Sequence, residues 1–490
     1  MKRFSSVLLL SLVPSLAWAG GFESGANNAE VLGRGGAFTA KADDASAMEY
    51  NVAGLARQRG THTLIGANLV NKTYEFQRSG VYPDDPNFAP DPTQNQVATP
   101  YGGQPFPKVS NTGGLFFAPM FGITTDFGYF DRWTFGLGIY GPSSYGKFTF
   151  PTTVNGLPGP GRYDVASTDL LIIYPTLAAA VRVTKWLDIG AELHLVVAKL
   201  TFQTVALVDL GRASCPTGEY VGCDSATTLD LMGVTATASI GAMFHPMRDF
   251  SIGLHLRGPV DLMASGTANG TPPAVKPLII SPEDATFETK LPWVLRLGLR
   301  YAFVKNGFEH GDVEVDGTYE AWAQAQGDGP KVNIPNLSIF TDITPTVTHH
   351  FLDTFSVRIG GAYNLKVGPA VLTFRIGFMF DSAATHYADT RLDFDTGAKY
   401  MPAAGVGFRI RGIALNLAYA YIFEPDRDVT NGDIRVINPV NHGSNVSSDQ
   451  VTLTPVVNNG HYHAETEIVS ISLNIAWDEA LKRRRVLAYE

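Results

Sequence analysis

Four arginines occupy alternate positions of otherwise apolar or small-residue runs: Arg296 and Arg300 within 295–303, Arg358 within 355–360 and Arg375 within 372–380. A guanidinium turned toward an apolar interior needs an anion, because a buried unpaired charge is costly. Two kinds of partner fit: the head group of an anionic ligand, or carboxylates of the chain itself such as Asp43, Asp44 and Glu49. Counting back across the short link Lys366–Gly368 sets Arg358 nearly opposite Arg375, where like charges repel unless an anion lies between them. Asp312, Glu314 and Asp316 have the types of calcium ligands, yet they alternate with Val313 and Val315 and read as the wet face of a strand. Gly33-Arg34-Gly35-Gly36 has the composition of a phosphate loop without its strand or its Lys-Ser/Thr. His349, His350, His461 and His463 fall in or beside loops, with no nucleophile placed to partner them. No catalytic set, metal site or cofactor motif emerges, so the chain does not read as an enzyme.

The two cysteines, Cys215 and Cys223, have loop-like flanks and a short separation. In an exported chain they read as one local disulfide, with two free thiols as the alternative; no histidine sits beside them to make a metal pair. Export itself is written at the N-terminus. Lys2 and Arg3 precede a short apolar stretch, and Ala17-Trp18-Ala19 supplies the small residues of a cleavage site. Residues 1–19 are therefore expected to be a signal peptide and Gly20 the mature start.

The elements that must position these residues are strands. Strict alternation of apolar with polar or small residues recurs after residue 60. Strands are expected near 61–76, 112–125, 132–141, 170–183, 186–207, 229–244, 250–264, 286–304, 311–323, 353–365, 369–381, 402–410, 412–423 and 464–477. Their connections alternate long and short, which a soluble sandwich has no reason to do but a transmembrane barrel does. Composition agrees. Only 17% of residues are charged, 11% are aromatic and 50 are glycine, suiting an outer face that meets lipid. No run after Gly20 is long and apolar enough for a membrane helix. A net charge of −9 argues against a nucleic-acid partner. The expected fold is all-β: a transmembrane antiparallel barrel of about 14 strands over 61–477, with both termini periplasmic. Tyr140, Tyr301, Tyr319, Tyr363, Tyr421 and Trp477 are expected at the interfacial girdles. Residues 20–60 do not alternate, carry a helix-like stretch at 37–50, and are expected to fold into the lumen as a hatch. Residues 478–490, with Lys482-Arg483-Arg484-Arg485, form a periplasmic tail.

Within 20–60, Gly21-Phe22, Leu32-Gly33-Arg34-Gly35-Gly36-Ala37, Ala42-Asp43-Asp44-Ala45-Ser46-Ala47 and Asn51-Val52-Ala53-Gly54-Leu55 resemble the hatch of the FadL family of outer-membrane channels for long-chain fatty acids and aromatic hydrocarbons. The resemblance continues through Gly136-Leu137-Gly138-Ile139-Tyr140-Gly141-Pro142, Gly161-Arg162-Tyr163, Tyr174-Pro175-Thr176-Leu177-Ala178, Phe287-Glu288-Thr289-Lys290-Leu291-Pro292 and the final strand from His461 to Trp477. It implies passive uptake of a hydrophobic small molecule, bound inside the barrel and released sideways beside the third strand when the hatch shifts. On that reading Phe22 joins Arg296, Arg300, Arg358 and Arg375 at the ligand. Gly20, Gly21, Asn51, Val52, Ala53, Gly136 and Gly138 serve the gate. The family usually has Asn-Pro-Ala where this chain has Asn51-Val52-Ala53, which leaves that turn without a proline's fixed φ. The implied partners are the ligand and the bilayer, with the barrel a monomer. A surface adhesin, a barrel enzyme and a hydrophilic porin are the competing classes, and a retained hatch argues against each.

Overall fold

The computed structural model describes residues 26–83, 101–141, 147–207, 219, 221–271, 283–326, 330–334, 349–394, 396–435 and 456–481. Fourteen antiparallel strands close into a barrel. In chain order they are β1 (Thr61–Arg78), β2 (Phe116–Thr125), β3 (Trp133–Tyr140), β4 (Ser167–Arg182), β5 (Leu187–Leu207) and β6 (Asp224–Met247). There follow β7 (Phe250–Arg257, resuming as Val260–Gly270), β8 (Glu283–Leu291, resuming as Val294–Lys305), β9 (Phe308–Glu320) and β10 (Thr354–Val367). The last four are β11 (Ala370–Asp381), β12 (Lys399–Ile410), β13 (Ile413–Phe423) and β14 (Gly460–Ala476). Closure is made by β1 on β14, in register from His62↔Ala476 to Arg78↔Gly460. The interruptions of β7 and β8 fall at Pro259 and Pro292, residues that cannot donate to a ladder.

Every strand expected from the alternation is present, and several run further toward the long loops. At 24 residues β6 far exceeds the roughly 9–11 that cross a bilayer, so the barrel wall stands well clear of it. Along each strand one set of side chains is turned out and apolar, as with Leu297, Leu299, Tyr301 and Phe303 of β8, while its alternates point inward. Tyr301, Tyr363 and Trp477 are exposed at strand ends, as expected of a girdle. Tyr140 is not. It shares the inward parity of β3, is buried, and donates from its hydroxyl to the Met48 carbonyl at 2.8 Å.

Residues 26–57 fill the lumen. They contain α1 (Ala29–Gly33), α2 (Ala47–Tyr50) and a 3-10 helix, Val52–Arg57. The helix-like stretch expected at 37–50 is helical only in its last turn. The reason is visible at Phe38–Lys41, whose backbone N–H groups are donated to carboxylates of the wall instead of to helical carbonyls. The wall makes room for this hatch with glycines paired across neighbouring strands: Gly190↔Gly241, Gly253↔Gly298, Gly360↔Gly377 and Gly122↔Gly138. They receive, in turn, Val52–Ala53, Thr39–Ala40, Arg34–Gly35 and the Ala45 and Met48 side chains. A Cβ at Gly360 or Gly377 would overlap the Arg34 backbone.

Candidate functional site

The contact between hatch and wall is built around β9. Asp312, Glu314 and Asp316 stand at alternate positions, so all three face the lumen. Asp312 accepts two hydrogen bonds from Arg34, each 2.8 Å, and Glu314 accepts a third at 3.2 Å. The other Glu314 oxygen accepts from the backbone N–H of Ala40 at 2.6 Å and of Lys41 at 3.2 Å. One Asp316 oxygen takes the N–H groups of Phe38 and Thr39, both at 2.9 Å. A carboxylate row that reads as a wet strand face is thus a dry clamp, with Arg34, Asp312 and Glu314 wholly buried. In the sequence Arg34 stands out only as part of a glycine-rich string. The alternation marked the inward carboxylates, but not what they would hold.

The four wall arginines all point inward, as their alternation requires. Arg300 pairs with Glu309 at 2.5 Å and Asp312 at 2.7 Å, both on the adjacent strand. Arg375 reaches Glu30 of the hatch at 3.2 Å and Asn416 at 3.0 Å. Arg296 donates to the Glu49 backbone carbonyl and lies over the Tyr50 ring, 5.5 Å from its centre. Arg358 is buried in the field of Asp381. The hatch partners differ from those proposed by sequence: Asp43 pairs with Lys41, Asp44 accepts from Asn28, Ser46 and Asn474, and the Glu49 side chain accepts from Asn27. Arg358 and Arg375 are not opposite one another. The hairpin pairs Arg358 with Met379 and Arg375 with Ala362, because the turn lies closer to β11 than the count assumed. The two arginines are offset by four residues, roughly 13 Å along the strand, so no shared anion is needed.

Glu30 lies outside the barrel strands, at the start of α1. Burial raises its carboxyl, but Arg375, Lys41 and Arg34 outweigh that and hold it at about 2. Asp44, by contrast, is pushed up by burial and by the nearby Glu30.

Among the residues expected from the sequence to serve a gate, Asn51 ties three segments together. Its side chain donates to the carbonyls of Thr39 at 2.9 Å and Ala242 at 3.1 Å, and accepts from the Ala53 N–H at 3.2 Å. The turn that lacks a proline at Val52 is held by these bonds. Gly136 and Gly138 of β3 leave space for the Met48 side chain. The β2–β3 ladder runs only from Phe121↔Ile139 to Thr125↔Phe135, so Phe116–Met120 have no partner on that side among the described residues. Just past β3, the Gly141 carbonyl accepts from Asn27 of the hatch. Gly20, Gly21, Phe22 and Cys215 lie outside the described residues; Cys223 is disulfide-bonded.

Above the hatch, toward the long loops, Trp322, Phe351, Phe394, Met379 and Met401 belong to one apolar cluster with Phe38 and Tyr50. The loops over it are pinned by buried ion pairs: Arg78 with Glu219, Arg162 with Asp224 at 2.8 Å, and Arg391 with Asp164 at 2.7 Å. Burial raises Asp164 even so. His349 pairs with Asp393 at 3.0 Å. His350, Asp389 and Asp433 bring donor atoms within 4.8 Å of one another, a grouping that sequence could not show because three loops supply it. His350 Nδ1 is 2.6 Å from an Asp389 oxygen, so this group is already hydrogen-bonded within itself.

A closed fourteen-stranded barrel whose lumen is filled by an N-terminal hatch defines the class, an outer-membrane transport barrel. The chain belongs to the outer membrane protein transport protein family (OMPP1/FadL/TodX), whose model matches residues 10–458. Solved structures agree in fold. A Pseudomonas aeruginosa FadL homologue superimposes with a TM-score of 0.71 at 15% identity, covering 94% of this chain and 100% of the other. The Pseudomonas putida toluene transporter TodX gives 0.63 at 15%, covering 93% and 99%. The Ralstonia pickettii toluene transporter TbuX gives 0.62 at 15%, covering 92% and 99%. No curated protein matches the sequence.

Proposed function

We propose that this protein takes up hydrophobic small molecules passively across the outer membrane. The molecule enters from the long-loop side, rests against the apolar cluster above the hatch, and leaves sideways past β3. Residues 1–19 are removed on export, residues 20–60 act as the hatch, both termini are periplasmic, and the barrel works as a monomer. The observation that carries this reading is the hatch itself. It is held to the wall by fully buried ion pairs at β9, and by glycine contacts that include those of β3, whose ladder with β2 stops short among the described residues. A water-filled pore gains nothing from such a plug, whereas a passage for apolar molecules does.

Long-chain fatty acids are the reading that the family resemblance suggests first. Arg300 and Arg375 are ion-paired within the protein, Arg358 lies beside Asp381, and Arg296 is engaged by the hatch. That pattern supports an uncharged substrate, an aromatic hydrocarbon among them, over a carboxylate anchored by arginine. The test is uptake of labelled toluene and a labelled long-chain fatty acid by cells lacking their own transporters. Protein-dependent uptake of toluene that falls when Gly20 to Phe22 are deleted supports the proposal. A folded barrel that takes up neither compound refutes it, and strong preference for the fatty acid restores the arginine anchor.

A further inference from the structure

Beside the Val52–Ala53 contact, the inner wall carries polar groups that the hatch does not use. Glu192 of β5 is 3% exposed, and neither of its oxygens makes a well-aligned hydrogen bond among the described residues, His194 and Ser239 being the donors near it. His194 Nε2 lies 3.5 Å from one of those oxygens, but that nitrogen is closer, at 2.7 Å, to the Ser239 hydroxyl. His255 of β7 is 1% exposed, and its Nδ1 also has no partner. The register sets them on either side of β6, Glu192 opposite Ser239 and His255 opposite Gly241. Arg296, cross-strand from His255, lies in the electrostatic reach of both. Tyr140, at the end of β3, is within 3.4 Å of His194 Nδ1, so this polar group borders the short strand.

Buried acceptors and donors left unmade are costly, and a wall built only to pass hydrocarbon would not keep them. Their charges limit what can satisfy them. A carboxylate head would face the Glu192 carboxylate. An ammonium head would face Arg296. A neutral hydroxyl meets neither objection, giving its hydrogen to Glu192 and its lone pair to the neighbouring donors. We propose that the transported molecules include hydroxylated ones, and that Glu192 and His255 form a seat for a phenol or alcohol head beside β3. This deepens the proposed transport function and rests on it.

The test compares three probes of one shape, p-cresol, p-xylene and p-toluate, with the full-length protein in lipid nanodiscs. Binding is measured by calorimetry, with empty discs subtracted for partitioning. The seat predicts that p-cresol binds about tenfold or more tightly than either of the others, in keeping with a hydrogen bond to a charged group. Glu192→Gln and the milder His255→Asn should each bring the cresol-to-xylene ratio close to one, with barrel folding checked by heat-modifiable mobility. Equal affinities for p-cresol and p-xylene, or a cresol preference that survives both substitutions, overturn the seat, since water alone then satisfies these groups. Uptake of p-xylene in cells keeps the two readings apart: its persistence alongside equal affinities removes the seat and leaves the hydrophobic channel standing, whereas loss of all uptake removes both.

Discussion

At the scale of single residues, the hatch is held by charge. Arg34 is the hub, since it meets two wall carboxylates in full burial. Removing one partner of such a pair costs about 3–5 kcal/mol, because the other is left uncompensated. Arg34→Leu should therefore leave the barrel folded while speeding amide exchange at Phe38–Lys41 by about a hundredfold or more, read by mass spectrometry. Unchanged exchange would show that the glycine contacts suffice. The Glu30–Arg375 tie makes a different prediction, in pH. Glu30 is held at about 2, below its ordinary 4.5, so its contribution is complete above pH 4.5 and is lost as pH falls through 2. Protection of the α1 amides should weaken across that window and not above it, and Glu30→Gln should show the weakened state at neutral pH. Inward arginines could be read from alternation, because parity is a local property. Their partners could not, since Arg34 and Asp312 are 278 positions apart and the path of the hatch decides who meets whom.

At the scale of elements, every strand was legible to within a few residues of its ends, because each alternates over its length and the long and short links give the direction of the chain. The hatch was not. Its stretch at 37–50 has the composition of a helix, yet wall carboxylates take the N–H groups a helix would use. The mid-strand glycines were present in the alternating runs without a role, and only their cross-strand pairing explains them. Gly377→Leu should displace the Arg34 turn, costing about 1–3 kcal/mol from overpacking, while barrel mobility in electrophoresis stays that of the folded form. Val52 tests the reverse. It opens the 3-10 helix after an extended Asn51, where a proline loses no helical hydrogen bond. Val52→Pro should slow hatch exchange about two- to fivefold, the gain expected from a stiffer unfolded chain. Faster exchange would mean that the Asn51 bonds need a backbone that proline cannot adopt.

At the scale of the molecule, a wide barrel is plugged at its waist, roofed by ion-paired loops and, among the described residues, interrupted beside β3. The family and the closed barrel follow from patterns spread along the whole chain, and so both were visible in the sequence. The chemistry of the lumen is assembled from strands and hatch together, which is why the inward arginines could be located by sequence but their pairing could not. Under the proposed function, apolar molecules pass and water-soluble ones do not. The most direct measurement puts both in one experiment: the protein in liposomes, with swelling in a small sugar followed alongside influx of labelled toluene. No sugar-driven swelling above that of empty liposomes is expected, and toluene influx should rise with the amount of protein. Swelling at the rate of an open porin, or toluene influx no faster than through bare lipid, would contradict it.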